Sequence, residues 1–357
     1  RKKMEYRFED ILEIRNGKNQ KAVENPEGRY PIYGSGGVIG YADDYICEAD
    51  TIIIGRKGSI NNPIYVSEPF WNVDTAFGLS VKKDFVLPKY LYYFCKKFDF
   101  GKLNKTVTIP SLTKSDLLKI KINVPVKEEQ QAIIDKLMKI ESIMAFRKIE
   151  LDYLDVLIKA RFVEMFGDPI TNPKEWKMVE LGKLTTIGSS KRIFEKEYVS
   201  EGIPFYRTKE IVELSKGNSI STELFITKER FFEIKDKYGV PKKGDLLVSA
   251  VGTIGVIWIV DGSNDFYFKD GNLIRVDASE KFDSVYMKNL LENLIDDYKK
   301  QMSTGTTYNA LTISGLTKLK VYDVPIELQN LFSEFVNQVY KSKVTVQKAL
   351  EETQILF

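Results

Sequence analysis

The spacing of apolar positions changes several times along this chain. Thr51-Ile52-Ile53-Ile54-Gly55 and Asp245-Leu246-Leu247-Val248-Ser249 are short apolar runs that end in small residues, as buried strands do. Leu118-Lys119-Ile120-Lys121-Ile122 and Thr317-Lys318-Leu319-Lys320-Val321 alternate, which predicts strands with one buried face. From about Glu128 to Met165 the apolar residues instead step by four and three: Ile133, Leu137, Ile140, Met144, Leu151, Leu154, Ile158 and Met165. Arg147 and Arg161 interrupt the seam, and no Gly or Pro lies inside it. This heptad spacing predicts one helix, ~55 Å long at ~1.5 Å per residue. Gly167, Asp168-Pro169 and Asn172-Pro173 end it. A second helix follows Pro325 with Leu328, Phe332, Phe335, Val339, Val346, Ala349 and Leu356, and is weakest at Ser342 and Thr353. Each helix is expected to bury its seam against the other as an antiparallel coiled coil. Ile134, Met138, Ile143, Ile149 and Leu157 lie off the seam and either widen the buried stripe or form a second face for a partner protein.

The pattern occurs twice. Leu112-Thr113-Lys114-Ser115-Asp116-Leu117 matches Leu311-Thr312-Ile313-Ser314-Gly315-Leu316, 199 residues later. An alternating run, a proline (Pro125 or Pro325) and a glutamine (Gln130 or Gln329) follow each copy. Tyr30-Pro31-Ile32-Tyr33 matches Ile203-Pro204-Phe205-Tyr206 in the same order. An internal repeat of this length predicts two similar α/β (α+β) globular domains, each followed by a long helix. The expected segments are a first domain at 1–125, a central helix at 126–166, a second domain at 167–325 and a distal helix at 326–357.

Composition narrows the chemistry. The 357 residues include no histidine and two cysteines, Cys47 and Cys95. The commonest general base, the usual Ser and Cys triads and His-ligated metal sites are therefore excluded, and a reducing cytosol is expected. No apolar run approaches the ~20 residues of a membrane span, and the charged opening Arg1-Lys2-Lys3-Met4-Glu5 leads into no apolar stretch. Arg1 is not a natural start, so missing residues are expected at the N-terminus. Residues 1–125 carry 20 Lys+Arg against 15 Asp+Glu, a net of +5, whereas residues 167–325 balance at 23 and 23. The helical segments are each at −1, which suits protein contacts better than phosphate.

Four features resemble the specificity subunits of type I restriction–modification enzymes, over essentially the whole chain. They are Tyr30 to Tyr41 (Tyr-Pro-Ile-Tyr-Gly-Ser-Gly-Gly-Val-Ile-Gly-Tyr); the turns Gly55-Arg56-Lys57-Gly58-Ser59 and Gly252-Thr253-Ile254-Gly255; Leu112-Thr113 and Leu311-Thr312 leading to Pro125 and Pro325; and Met165-Phe166-Gly167-Asp168-Pro169 with Asn172-Pro173 and Trp176. The resemblance implies a non-catalytic, bacterial or archaeal cytoplasmic protein with two target-recognition domains, each reading half of a split double-stranded DNA target. It further implies two modification (methyltransferase) subunits and restriction (translocase/nuclease) subunits as partners. S-adenosylmethionine, ATP and magnesium are expected on those partners and no cofactor on this chain. Family members usually extend slightly beyond the position of Phe357. Two other readings stand beside it: a specificity subunit of a related type II system, and a coiled-coil adaptor with protein- or glycan-binding domains.

Three motifs suggest enzymes and are set aside. Gly34-Ser35-Gly36-Gly37-Val38-Ile39-Gly40 has Ile39 where a dinucleotide loop needs glycine, and no helix opening follows. Asn62-Pro63-Ile64-Tyr65 departs at Ile64 from the Asn-Pro-Pro-aromatic loop of adenine methyltransferases. Asp168 with Glu175-Trp176-Lys177 follows a helix end, unlike a nuclease cluster on adjacent strands. DNA readers hold phosphates with Lys and Arg and read bases with bidentate side chains. In domain one the candidates are Lys18, Tyr33, Ser35, Arg56, Lys57, Gly58, Ser59, Asn61, Asn62, Lys102, Lys105 and Thr106. In domain two they are Lys191, Arg192, Tyr206, Arg207, Thr208, Lys209, Thr253, Ser303, Thr304, Thr306, Thr307, Tyr308 and Asn309.

Overall fold

A computed structural model describes residues 4–103, 111–302 and 310–356. It divides into two units: Arg1–Phe146 with Glu352–Phe357, and Arg147–Glu351. Both boundaries fall inside the long helices, so each helix contributes to both units.

The first unit contains β1 (Met4–Arg7), α1 (Phe8–Ile11), β2 (Leu12–Asn16), β3 (Tyr30–Gly34), β4 (Gly37–Ala42), β5 (Thr51–Gly55), β6 (Ile64–Val66), β7 (Trp71–Asn72), β8 (Ala76–Val81), α2 (Pro88–Lys97), α3 (Lys114–Leu118) and β9 (Lys121–Val124). The first long helix, α4 (Lys127–Phe166), runs on into the second unit. There follow β10 (Met178–Glu180), β11 (Ile187–Gly188), β12 (Ile203–Tyr206), α5 (Thr208–Ser215), β13 (Phe225–Ile226), α6 (Lys228–Tyr238), β14 (Leu246–Ser249), β15 (Ile257–Ile259), β16 (Tyr267–Phe268), β17 (Leu273–Val276), α7 (Ser284–Met302), α8 (Ile313–Lys318), β18 (Lys320–Tyr322) and the second long helix, α9 (Ile326–Leu356).

The repeat holds strand by strand. The first unit has sheets ordered β2-β8-β5-β6, β4-β3-β7 and β1-β9. The second has β11-β17-β14-β15, β13-β12-β16 and β10-β18. The parallel pairing of β3 with β7 recurs in β12 with β16. Thr113 and Thr312 cap α3 and α8 by accepting from Asp116 N (3.1 Å) and Gly315 N (3.0 Å), so the paired Leu-Thr phrases are helix N-caps. The alternating runs beyond them are helical at first and become strands at Lys121 and Lys320.

Between these matched strands the second unit carries insertions. The Ser35-Gly36 turn joins β3 to β4, whereas 18 residues including α5 join β12 to β13. The Gly34–Gly37 segment is therefore a hairpin turn with no nucleotide-loop helix after it. Asn62-Pro63 similarly leads directly into β6, which pairs with β5.

One buried side chain ties each long helix to its domain. Gln130 is fully buried. Its Oε1 accepts from Leu87 N (2.8 Å), just before α2, and its Nε2 donates to Pro125 O (2.8 Å) and Phe85 O (2.7 Å). Gln329 repeats this: Asp283 N donates to its Oε1 (2.9 Å), and its Nε2 donates to Val324 O (2.9 Å). Further along α4, Glu141 accepts from Tyr93 Oη (2.7 Å) and Lys96 Nζ (2.7 Å) on α2.

This contact corrects the expected seam at its start. Ile133 is exposed and its neighbour Ile134 is buried, because the stripe through Gln130, Ile134 and Glu141 turns towards α2. Leu137, Ile140, Met144, Leu151, Leu154, Leu328, Phe335 and Val346 are half-buried, and Ile158, Phe332 and Val339 are buried. Within the second unit α4 and α9 run antiparallel. Lys343 reaches Asp155 (2.5 Å), Arg147 donates to Ala349 O, and the Arg161 guanidinium lies 5.6 Å from the Phe335 ring. Lys343, not Ser342, continues the stripe after Val339; Ser342 is exposed.

Near the end of α4 the stripe widens into the domain core. Phe162 and Phe166 pack with Tyr286 of α7 and Phe332 of α9, with ring centroids 4.8–5.9 Å apart. The junction motif explains how α4 ends. Trp176 Nε1 donates to Phe166 O (2.9 Å), Lys174 Nζ reaches Glu164 O (2.6 Å), and Tyr322 Oη holds Asp168 O (2.7 Å).

Gln130→Leu is expected to lower unfolding stability by about 1–3 kcal/mol, because it removes the partner of the buried Pro125 carbonyl and of the part-buried Leu87 N–H and Phe85 carbonyl. Gln329→Leu should do the same in the second unit. The denaturation midpoint of each variant checks this; an unchanged midpoint would show that the clasp is dispensable.

Candidate nucleic-acid interface

In the first unit β8 lies between β2 and β5, so the chain leaving β2 and the chain leaving β5 emerge at the same end of the sheet. Gly17 N donates to Ala76 O (3.1 Å) and Lys18 N to Asn72 O (2.8 Å) on one side, and Arg56 N donates to Thr75 O (2.7 Å) on the other. Leu112 N then bonds Arg56 O (2.9 Å). The Arg56–Ser59 turn is tight. A Cβ on Gly55 would lie 2.5 Å from Ser59 O and 3.1 Å from the Ser35 Cβ, which also places the β3–β4 hairpin beside it. Gly58 has φ +73°, a conformation that favours glycine.

Asn61 accepts from Phe100 N (2.8 Å) and donates to Asp99 (3.0 Å), tying the Lys102 segment to this turn. Lys18, Arg56, Lys57, Gly58, Ser59, Asn61, Asn62 and Lys102 are exposed, and Ser35 is half-buried. Tyr33 is also half-buried and packs edge-on against Phe70, with centroids 5.4 Å apart. Lys105 and Thr106 lie outside the described residues.

The same architecture recurs in the second unit. Ala250 N donates to Asn272 O (2.8 Å) and Leu311 N to Ala250 O (3.0 Å), so Ala250 stands where Arg56 stands in the first unit. The following turn, through Gly252 and exposed Thr253, is braced by Ser249, whose hydroxyl donates to Thr253 O and accepts from Val256 N (2.9 Å). Ser189, Ser190, Ala250, Asp270, Gly271 and Leu311 line an open cavity of about 360 Å3. The buried Ser190 hydroxyl has no hydrogen-bond partner among the described residues. Exposed Lys191 and Arg192 follow it, and Arg192 Nε is held by Asp270 (2.7 Å), which raises the guanidinium pKa.

The structure corrects one candidate cluster. Tyr206, Arg207 and Thr208 do not form a loop. The Tyr206 ring is buried against Phe266, with centroids 4.6 Å apart. Arg207 bonds Glu210 through its backbone N (2.8 Å) and Nη2 (3.0 Å) at the start of α5. The Thr208 hydroxyl is buried with no partner among the described residues, and exposed Lys209 reaches the same Glu210 (3.6 Å). Tyr206 ends a sheet strand, and Arg207 serves as the helix N-cap; a strand-to-helix junction mimicked a basic loop in the sequence. The positional counterpart of Arg56–Ser59 is Ala250–Thr253, which strand register identifies and composition does not. Ser303, Thr304, Thr306, Thr307, Tyr308 and Asn309 lie outside the described residues.

Other chemistry is sparse. Among the described residues no group of three or more Asp, Glu or Cys side chains is arranged to hold a metal ion, and no helix is long and apolar enough to cross a membrane. Both cysteines are buried, and burial pushes the Cys47 thiol up to about 11 and that of Cys95 upwards. The nuclease-like residues have local structural roles: Asp168 Oδ1 accepts from Ile170 N (2.7 Å), and Lys177 pairs with Asp323 (3.4 Å).

Comparison with known proteins agrees with this fold. The chain is similar to a putative type I restriction enzyme specificity subunit of Haemophilus influenzae, 28% identical over 334 residues, covering 90% of this chain and 84% of that protein. It is also similar to the specificity subunit of a type I restriction enzyme of Methanocaldococcus jannaschii, 25% identical over 326 residues, covering 83% and 71%. In fold it matches the crystal structure of the type I restriction-modification S subunit from M. genitalium, with a TM-score of 0.58, 17% identity and coverage of 99% and 93%. A chain from a structure of type I restriction-modification complex assembly matches with a TM-score of 0.64 at 15% identity. The family model of the type I restriction modification DNA specificity domain matches residues 1–153 and 173–354, one stretch for each copy of the repeat, and the chain therefore belongs to the family of type I restriction–modification specificity subunits.

Proposed function

We propose that each unit of this chain reads one half of a bipartite double-stranded DNA target through the loops at the end of its four-stranded sheet. The observation that carries this reading is the duplication of one loop arrangement. The chain after β2, the turn after β5 and Leu112 meet in the first unit, and Ser189 after β11, Ala250 after β14 and Leu311 meet in the second. Exposed Arg and Lys suit phosphate oxygens and guanine edges, Asn suits adenine, and hydroxyls suit either. Lys18, Arg56, Lys57, Asn61, Asn62 and Lys102 are the proposed contacts in the first unit, and Lys191, Arg192 and Thr253 in the second.

The long helices, in this reading, fix the separation of the half-sites and dock the modification subunits. Exposed apolar residues on α4, among them Phe146, Tyr153, Val156 and Val163, support a protein-binding role, since apolar patches of this kind mark interaction surfaces. Methyl transfer and cleavage belong to partner subunits, which would bring S-adenosylmethionine, ATP and magnesium.

Two outcomes test the reading. Replacing residues 1–125 by the matching domain of a relative should change one half of the methylated target and leave the other intact, as methylome sequencing of cells carrying the assembled system would report. Simultaneous change in both halves would contradict independent readers. In a second variant, a heptad is inserted between Met144 and Leu151 with a matched heptad between Val339 and Val346. Lengthening both helices by ~10 Å should widen the spacer by up to about three base pairs at ~3.4 Å each. An active variant with both half-sites and the spacer unchanged would rule out the helices as the ruler.

A further inference from the structure

The two units repeat one backbone but present different charge at the proposed reading end. Lys18, Arg56 and Lys57 are exposed, and among the described residues none of them is ion-paired; Arg56 leans over the Phe77 ring at 6.0 Å. At the positions of Arg56 and Lys57 the second unit has Ala250 and Val251, set by the matched bonds to Thr75 and Asn272 and to Leu112 and Leu311. Two of its three nearby cations are already held by carboxylates: Arg192 by Asp270 at 2.7 Å, and Lys299, which donates to Ile254 O in the turn (3.2 Å), by Asp296 at 2.6 Å. Lys191, with its Nζ 5.3 Å from the Tyr238 ring, is the one cation of the three with no ion pair among the described residues. The rest of what that end of the second unit offers is uncharged: the Thr253 hydroxyl, and the Ser190 hydroxyl beside the cavity, which has no hydrogen-bond partner among the described residues. The sequence balance runs the same way, at +5 for residues 1–125 and zero for 167–325.

We infer that the two recognition domains divide the work unequally: the first supplies most of the phosphate anchoring, and the second reads its half-site chiefly through uncharged donors and acceptors. This inference rests on the reading that both units bind duplex DNA. Its physical basis is counterion release, since each phosphate neutralised by a free cation adds about 0.9 to the slope of log affinity against log salt. A guanidinium already bound to a carboxylate must give up that partner to engage a phosphate, so its contribution is smaller.

The test is salt-dependent binding of the full chain to a fluorescent mixed-sequence duplex of about 40 base pairs, long enough for many phosphate contacts. Lys18→Ala/Arg56→Ala/Lys57→Ala should lower the slope by about two to three, against about one for Lys191→Ala/Arg192→Ala/Lys299→Ala. Val251→Lys, at an exposed position, should raise the slope by about one. Lys18→Arg/Arg56→Lys/Lys57→Arg, which keeps every charge, should restore the parent slope and so separate charge loss from misfolding. Equal losses from the two triple variants, or a larger loss from the second, overturn the inference while leaving DNA binding intact. A parent chain with no salt-dependent binding overturns the DNA-binding reading itself, and the inference with it.

Discussion

The rest of the molecule depends on two buried glutamines. A helix as long as α4 or α9 has to leave its domain in a fixed direction, and an apolar contact alone lets it roll. A buried amide does not, because its donors and acceptor must all be satisfied at once. Gln130 meets this condition with Leu87 N, Phe85 O and Pro125 O, and Gln329 with Asp283 N and Val324 O. In the two units the acceptor oxygen takes the N–H at the entry to α2 and to α7, and the amide nitrogen reaches the carbonyl five residues back. The same face of each long helix is thus set against its own domain, and the remaining faces are left for other partners.

That division explains the burial along α4. Its first turns belong to α2 through Gln130 and Glu141, which displaces Ile133 to the surface. Its last turns merge with the second unit's core through Phe162 and Phe166. Between them the seam residues are only half-buried, and Phe146 and Tyr153 are exposed by 70% and 69%. Such exposure of large apolar side chains is unusual for a surface with no partner, and it fits a subunit that works in an assembly.

At the proposed reading ends, one backbone plan carries two chemistries. The sheet brings the same segments together in both units because β8 and β17 each sit between the strands that precede the loops. Side chains on those segments are free to vary, since the backbone bonds from Arg56 or Ala250 do not depend on their identity. A scaffold of this kind separates positioning from recognition: register fixes where a residue stands, and the residue decides what it binds.

The sequence by itself determined the repeat, the long helices, the buried central strands and the absence of histidine chemistry, because each of these is a local or periodic property. The Leu-Thr phrases predicted equivalent positions, and the glutamines after Pro125 and Pro325 marked the helix starts. Only the tertiary structure decided which residues meet at the end of each four-stranded sheet. Tyr206-Arg207-Thr208-Lys209 reads as a basic loop in one dimension, yet Tyr206 packs inside the core and Arg207 spends its charge on Glu210. The sequence pairs the turn after Thr51–Gly55 with the one through Gly252, but the exact counterpart of Arg56, Ala250, has no resemblance to it and is fixed by strand register. Likewise Ile133 and Ile134 are equally apolar neighbours, and heptad spacing favours the wrong one. Burial there follows from a hydrogen-bonded contact with a helix about 40 residues earlier in the chain, and no pattern local to α4 contains that information.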